Sequence, residues 1–328
     1  MSAVVVIIVN YDSGEYLAPC LASVLAQEPP AARVIVVDNA SPQPPSAEEL
    51  PSGVEFLRRP RNGGFAAAVL TGLAHSTEPF VLTLNPDTEL QPGCLRAALR
   101  PFESDAAVGS VAPLVLQSAA PERIDARGLG LNRHFGALNW DHGDAASEPG
   151  PSEVLGPLGG AALWRRSALE RAGGFDPFHF LYWEDTDLSL RLLRAGYRCA
   201  CAPEARVLHA GSGTVGRDSA LNAFCMVRNQ WSALMLGLPW STILSHPVRF
   251  KLAPLRTAAL YARRGRGFVA FLGLLAGALR VPVAFLRRRR LKPRPGYDTR
   301  KTAGRLQALV DAAEASRTRM KLRDERAP

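Results

Sequence analysis

Val4-Val5-Val6-Ile7-Ile8-Val9-Asn10-Tyr11-Asp12 opens the chain with six consecutive β-branched residues and closes on a polar cluster. A run this short, with no basic residue before it, reads as a strand buried on both faces and not as a signal peptide. Three more runs share the form: Arg33–Val37 leading into Asp38-Asn39, Val54–Leu57, and Phe80–Leu84 leading into Asn85-Pro86-Asp87. Between them Leu17, Leu21, Val24 and Leu25 recur at helical spacing, with Asp12 or Ser13 as N-cap, and a similar stripe follows Gly64. Strand alternating with helix predicts an α/β fold around a doubly wound, mostly parallel sheet that takes its ligands at the strand C-termini. The polar clusters after the first, second and fourth runs would then line one crevice.

The remainder of the chain reads less regularly. Residues 117–157 are rich in Gly, Pro, Ser and Ala with weak periodicity, and are expected to form a long, partly ordered excursion over the site. Order should resume at Leu158-Gly159-Gly160 and pass through Gly173-Gly174-Phe175-Asp176 into an acidic helix that Gly196 ends. Charge divides the chain sharply, with a net +16 from Ser245 onward against −7 before it. Gly267–Leu286 is nearly long enough to cross a bilayer, but Arg280 and Pro282 interrupt it, so an interfacial helix is expected, followed by a head-group-facing run Arg287-Arg288-Arg289-Arg290. Leu306, Leu309, Val310 and Ala313 predict a last amphipathic helix. The resulting division is a domain over residues 1–230 and a basic, helical, membrane-associating appendage over 231–328. Five cysteines at 20, 94, 199, 201 and 225, an odd count without zinc spacing, point to reduced thiols in a cytosolic compartment.

Several residues carry chemistry. Asp38 is placed to accept hydrogen bonds from a nucleobase, with Tyr11 offering a flat face, although a turn or N-cap aspartate fits the same sequence. Arg61-Asn62-Gly63-Gly64-Phe65 lets backbone N–H groups approach a phosphate, as would a plain loop entering a helix. In Asn85-Pro86-Asp87 a carboxylate emerges where a buried strand reaches solvent, which suits a hard cation, Mg²⁺ or Mn²⁺, completed by diphosphate oxygens. His209 is a candidate further ligand or a structural hydrogen-bonding histidine. Glu184-Asp185-Thr186-Asp187 suits the first turn of a helix electrostatically. The aromatic residues Phe178, Phe180, Tyr182 and Trp183 crowding in front of it would also desolvate a carboxylate and raise its pKa toward a base's range.

Taken in order, these segments resemble the family-2 glycosyltransferases of GT-A fold, inverting enzymes, and most closely their rhamnosyltransferase-like branch. The resemblance covers about residues 4–230. It rests on Ile8-Val9-Asn10-Tyr11-Asp12, Val36-Val37-Asp38-Asn39-Ala40-Ser41, Asn62-Gly63-Gly64-Phe65-Ala66, Leu84-Asn85-Pro86-Asp87-Thr88, and Gly173-Gly174-Phe175-Asp176 leading to Tyr182-Trp183-Glu184-Asp185-Thr186-Asp187. It implies that Val9, Tyr11, Asp38, Asn62, Gly63 and Asn85 surround the donor nucleotide, and that Asp87 and His209 hold a divalent cation on its diphosphate. It implies further that Asp185 is the general base, with Glu184, Asp187, Trp183, Gly160 and Arg228 at the acceptor or behind the base.

The expected activity is therefore transfer of a sugar, rhamnose from dTDP-rhamnose or a sugar from a UDP donor, to a glycan or lipid-linked saccharide in cell-envelope synthesis. The basic C-terminal region predicts an anionic membrane surface as partner and a cytoplasmic protein peripheral to the inner face of the plasma membrane. Nucleic acid is not expected as a partner, since no recognition module accompanies the arginine run. Two rivals are a catalytically inactive binding partner and a nucleotidyltransferase. The second lacks its Gly-rich, basic phosphate loop after the first strand, where Asn10-Tyr11-Asp12 stands.

Overall fold

A computed structural model of the chain describes residues 3–211, 219–288 and 292–324. The four expected strands are present as β1 (Val4–Asn10), β2 (Arg33–Asp38), β3 (Val54–Arg58) and β4 (Phe80–Leu84), with α1 (Leu17–Leu25) after β1 and α2 (Phe65–Ala74) after β3. β1 pairs in parallel with both β2 and β4, and β2 with β3. β1 is fully buried and α1 packs against one face of the sheet, α2 against the other, which is why its run carries no polar alternation. A 3-10 turn at Gly14–Tyr16 precedes α1, so neither Asp12 nor Ser13 caps that helix; the Ser13 hydroxyl donates to Asn10 Oδ1 instead.

The chain continues through β5 (Thr88–Leu90), α3 (Cys94–Ser104), β6 (Val108–Gln117), β7 (Ala120–Ala126), β8 (Leu129–Leu131), β9 (Ala137–Asn139), β10 (Glu153–Val154), β11 (Ala161–Arg165), α4 (Arg166–Ala172), α5 (Glu184–Arg194) and β12 (Arg198–His209). The main sheet runs β10-β12-β6-β11-β4-β1-β2-β3, mixed but mostly parallel, with β11 antiparallel to β4 and β6. β1 lies between β4 and β2, so helices leave it in both directions and a crevice opens at the strand ends beside it. The fold is the expected α/β architecture.

Two expectations need correction. Residues 117–157 are not a loose excursion: β7 folds back on β6, and β8 and β9 form their own two-stranded sheet. Ile124, Ala126, Leu131, Phe135 and Trp140 are buried there, so short strands of small residues, paired locally, hid a packed substructure. The arginine run also behaves differently. Arg287 donates to Asp176 at 2.8 Å and Arg288 donates to the carbonyls of Met235 and Leu238, so both turn back onto the protein; Arg289 and Arg290 lie outside the described residues. The carbonyls that receive Arg288 lie at and just beyond the end of a helix, where no intrahelical donor can reach them.

Beyond the sheet come α6 (Ala220–Gly237), α7 (Trp240–Ser245), α8 (Pro247–Tyr261), α9 (Gly267–Arg287) and α10 (Thr302–Asp324). Residue 230 falls inside α6. One apolar cluster joins Leu190 and Leu193 of α5 to Leu234 and Leu236 of α6, Ala284 of α9, and Leu306 and Val310 of α10, so the C-terminal helices share a core with the element that carries Asp185. The segment Pro247–Arg287 contains a window long and apolar enough to cross a membrane by length and composition, with mean hydropathy 2.1, but non-helical backbone at Arg264 and Gly265 divides it into α8 and α9.

Candidate active site

The C-terminal ends of β1 and β4 open into a cleft of about 800 Å³. Val9 and Tyr11 enter from β1 and the residue after it, Asn62 from the loop before α2, Asn85 and Asp87 from the end of β4, Gly160 from the approach to β11, Trp183, Glu184 and Asp185 from the start of α5, and His209 from the end of β12. Ten of the expected site residues thus share one cavity wall. Asp38, Gly63, Asp187 and Arg228 do not line it.

Asp38 is wholly buried. It accepts from Asn10 Nδ2 at 2.9 Å, from the Ser41 backbone N–H at 3.1 Å and from the Ser41 hydroxyl, so its lone pairs fasten two loops together. Asn39, its neighbour, reaches the cleft and organises the loop opposite: its Nδ2 donates to Asn62 Oδ1 at 2.8 Å and its Oδ1 accepts from Arg59 at 2.6 Å and from the Gly63 N–H at 3.2 Å. Asp187 is buried beneath the site and paired with Arg191 at 2.7 Å. Arg191 also donates to the carbonyls of Ala172 and Gly174, tying α5 to the end of α4. Arg228 donates to His179 O at 2.8 Å.

At the opposite wall, Asp87 Oδ2 is buried, has no hydrogen-bond partner among the described residues, and sits 3.4 Å from His209 Nε2. His209 Nδ1 is 2.7 Å from Asp125 Oδ2. An ionised carboxylate only accepts, so Nδ1 carries the proton of that bond and the Nε2 lone pair faces Asp87. Two lone pairs so placed need a proton or a cation between them. Burial opposes charge on His209, but the hydrogen bond to Asp125 and the negative charges of Asp125 and Asp87 beside its two ring nitrogens push the ring up to about 9. Burial alone would raise Asp125; its hydrogen bonds from His142 and His209 hold it well below the usual carboxylate range. A divalent cation fits this pair as two protein donors, with the rest of its shell left for ligand oxygens and water, and no group of three or more His, Cys, Asp or Glu side chains able to hold a metal occurs among the described residues.

Asp185 reaches the cleft on the first turn of α5. Its Oδ2 accepts from the Gly159 N–H at 3.2 Å and its Oδ1 from the Thr186 N–H at 2.6 Å. Burial nonetheless raises its pKa, and burial together with Asp185's charge raises that of Glu184, whose Oε2 has no hydrogen-bond partner among the described residues. The two halves of the cleft are joined through the backbone: Asn85 N–H donates to Gly160 O at 2.8 Å, one residue from the glycine that holds Asp185. A side chain at Gly160 would fall 2.5 Å from the Asn85 side-chain amide and would push that amide from its place in the cleft.

The sequence model described as Glycosyl transferase family 2 matches residues 5–171, half of the chain and all of the wall bearing Tyr11, Asn62 and Asp87. This chain belongs to that family. The N-acetylglucosaminyl-diphospho-decaprenol L-rhamnosyltransferase of Mycobacterium tuberculosis is 32% identical over 241 residues, 66% of this chain and 78% of its own length, which puts this glycosyltransferase in the rhamnosyltransferase-like branch. The galactofuranosyltransferase GlfT1 of Mycobacterium tuberculosis is 27% identical over 63% of this chain and 70% of its own. Among solved structures, GalNAc-T7 with UDP, GalNAc and Mn²⁺ superposes with a TM-score of 0.55 at 16% identity, over 71% of this chain and 47% of that one, a likeness of fold.

Asp125 escaped the sequence, because it lies in the stretch that reads as loop. Asn39 reaches the crevice expected of the Asp38-Asn39 pair, and only its partners in the facing loop were hidden. The role of Asn229 was hidden likewise: wholly buried in α6, it directs its Nδ2 toward the carbonyls of His179, Leu181 and Tyr182 at 2.7, 2.8 and 3.0 Å, and so holds the strap in front of Asp185.

Proposed function

We propose that this glycosyltransferase moves a sugar from a nucleoside diphosphate donor, dTDP-rhamnose or a UDP-sugar, to a hydroxyl of a lipid-linked saccharide, with inversion at the anomeric carbon. The observation that carries the reading is the joining of Asp87–His209 and Asp185 across a single cleft through the hydrogen-bonded glycines 159 and 160. Tyr11, Asn39 and Asn62 form the wall for the nucleotide. Asp87 and His209 would hold Mg²⁺ or Mn²⁺, which when bound neutralises charge on the donor diphosphate.

Asp185 takes the proton of the acceptor hydroxyl as that oxygen bonds to the anomeric carbon. The bond from this carbon to the donor's phosphate oxygen breaks, and the nucleoside diphosphate leaves with the electron pair. Attack comes from the face opposite the nucleotide, so the configuration inverts. The relative's lipid diphosphate acceptor, and the large apolar side chains exposed on α8 and α9, support an acceptor presented at the cytoplasmic face of a membrane, with the protein peripheral to it.

Asp185→Asn tests the assignment. It should retain donor binding, read as a thermal shift with nucleotide sugar and Mn²⁺, and lose about 10²–10⁴-fold in kcat. Near-normal turnover would remove Asp185 from the role.

A further inference from the structure

The cleft is acidic, and among the described residues one permanent cation lines it. Asp12, Asp87, Asp125, Glu184 and Asp185 all face the cavity, whereas among its described lining residues Arg264 is the only Arg or Lys. Arg264 belongs to the turn between α8 and α9, at φ −91° and ψ 16°, followed by Gly265 at φ 75°. It reaches the cleft from the side formed by α6 and the α8–α9 turn. Its guanidinium lies 5.9 Å from the ring of Tyr261, whose hydroxyl bonds Asn222 of α6, and α6 in turn receives the Trp183 indole on Met226 O at 3.1 Å, one residue from Glu184. The nucleotide wall of Tyr11, Asn39 and Asn62 belongs to other elements, at the ends of β1 and β2 and before α2.

The turn is also where the apolar surface begins. Leu260 and Phe268, four residues to either side of Arg264, are 47% and 75% exposed, and Phe271 and Leu272 continue the face along α9. α9 packs inward with Ala270, Gly273 and Gly277, and a side chain at Gly277 would lie 2.9 Å from Arg228 O. Small residues inside and large apolar residues outside reverse the pattern of a water-facing helix and suit a hydrocarbon neighbour.

We propose that the α8–α9 turn is the seat of the acceptor's diphosphate: Arg264 binds its oxygens, the prenyl tail runs along the exposed faces of α8 and α9, and the terminal sugar points into the cleft toward Asp185. This rests on the glycosyl-transfer reading and adds to it the residue that selects a lipid diphosphate. A guanidinium presents paired N–H donors to phosphate oxygens, and removing such a charge-assisted contact weakens binding by about ten-fold or more.

The test uses the full chain in detergent micelles with EDTA present, so that metal-dependent binding at Asp87 is out of play, and farnesyl diphosphate, farnesol and inorganic pyrophosphate as probes. Farnesyl diphosphate should bind wild type at least ten-fold more tightly than either fragment, Arg264→Ala should abolish that advantage, Arg264→Lys should restore part of it, and Arg263→Ala on the same turn should leave it intact. Equal binding of farnesyl diphosphate to wild type and Arg264→Ala overturns the seat, and pyrophosphate binding as tightly as farnesyl diphosphate overturns the lipid half of the proposal. In parallel, transfer to a farnesyl-diphosphate-linked N-acetylglucosamine should show a raised KM for that acceptor in Arg264→Ala and the wild-type KM in Arg263→Ala. Absence of both transfer and donor hydrolysis in wild type would sink the glycosyl-transfer reading, and the EDTA binding result would still decide the seat.

Discussion

Glu184 and Asp185 are adjacent buried carboxylates, and two negative charges so close in a desolvated site do not coexist comfortably. The hydrogen bonds decide which keeps the proton. Asp185 accepts from two backbone N–H groups, at 3.2 and 2.6 Å, whereas Glu184 Oε2 has no hydrogen-bond partner among the described residues, so the anion resides on Asp185 and the proton on Glu184. The sign follows. As the proposed base Asp185 would act when deprotonated, and burial raises its pKa, so kcat should fall on acidification along a limb that begins above the ordinary carboxylate range. Because Glu184 is already neutral there, Glu184→Gln should leave the acid limb in place and keep most of the neutral-pH rate. A pH–rate profile of the variant reads this directly: a limb displaced downward by more than about one unit would mean that Glu184 carries the charge in the native enzyme.

The element that aims Asp185 is the aromatic strap from Phe178 to Trp183. Phe180, Tyr182 and Trp183 hold φ of 65°, 64° and 75°, left-handed values that cost about 1–3 kcal/mol each unless the surroundings enforce them. Asn229 supplies that enforcement from below through the carbonyls of residues 179, 181 and 182, and the Phe65 N–H donates to Phe180 O at 3.1 Å from above. Asn229→Ala leaves buried carbonyls without their donor and should cost about 2–4 kcal/mol in a urea melt. Its kcat should fall further than its folded fraction does, because the helix start moves with the strap. Gly64→Ala attacks the same contact from the other side: a Cβ there would lie 1.9 Å from Phe180 O, at φ +83°. It should weaken turnover more than it weakens nucleotide binding, and unchanged kcat in both variants would show that the strap does not place the base. The sequence displays Asn62-Gly63-Gly64 as a glycine pair suited to phosphate, but the demand on Gly64 comes from a strap more than a hundred residues further along. Local pattern reports that glycine is wanted; only the folded chain says by what.

At the scale of the molecule, what could be read in advance followed from period and burial. β1, β2, β3 and β4 are continuous apolar runs, and the motifs at their ends fall into one crevice because parallel strands end together. Asp38 and Arg287 were misplaced because a charged residue's partner is set by tertiary contacts: Asp38 faces Asn10 and Ser41, and Arg287 faces Asp176. That correction changes what the proposed membrane contact would rest on. With Arg287 and Arg288 engaged by Asp176 and by helix-end carbonyls, α9 presents Phe268, Phe271, Leu275, Leu279 and Leu286 to the surface, of which Leu279 is 78% and Leu286 82% exposed, while the exposed basic residues Arg249, Lys251, Arg256, Arg263 and Arg266 lie on α8 and the turn after it. Hydrocarbon contact does not screen, whereas attraction to anionic head groups does. Moderate salt should therefore release only part of the protein from phosphatidylglycerol-containing vesicles, and a fraction should stay bound to neutral vesicles of phosphatidylcholine. Leu275→Glu with Leu279→Glu forfeits about 3–6 kcal/mol of apolar transfer at positions 50% and 78% exposed, so it should free the protein from neutral vesicles while shifting its melting temperature little. Complete release of wild type by salt alone, in a flotation assay, would return the membrane role to the basic residues and take it from the apolar face.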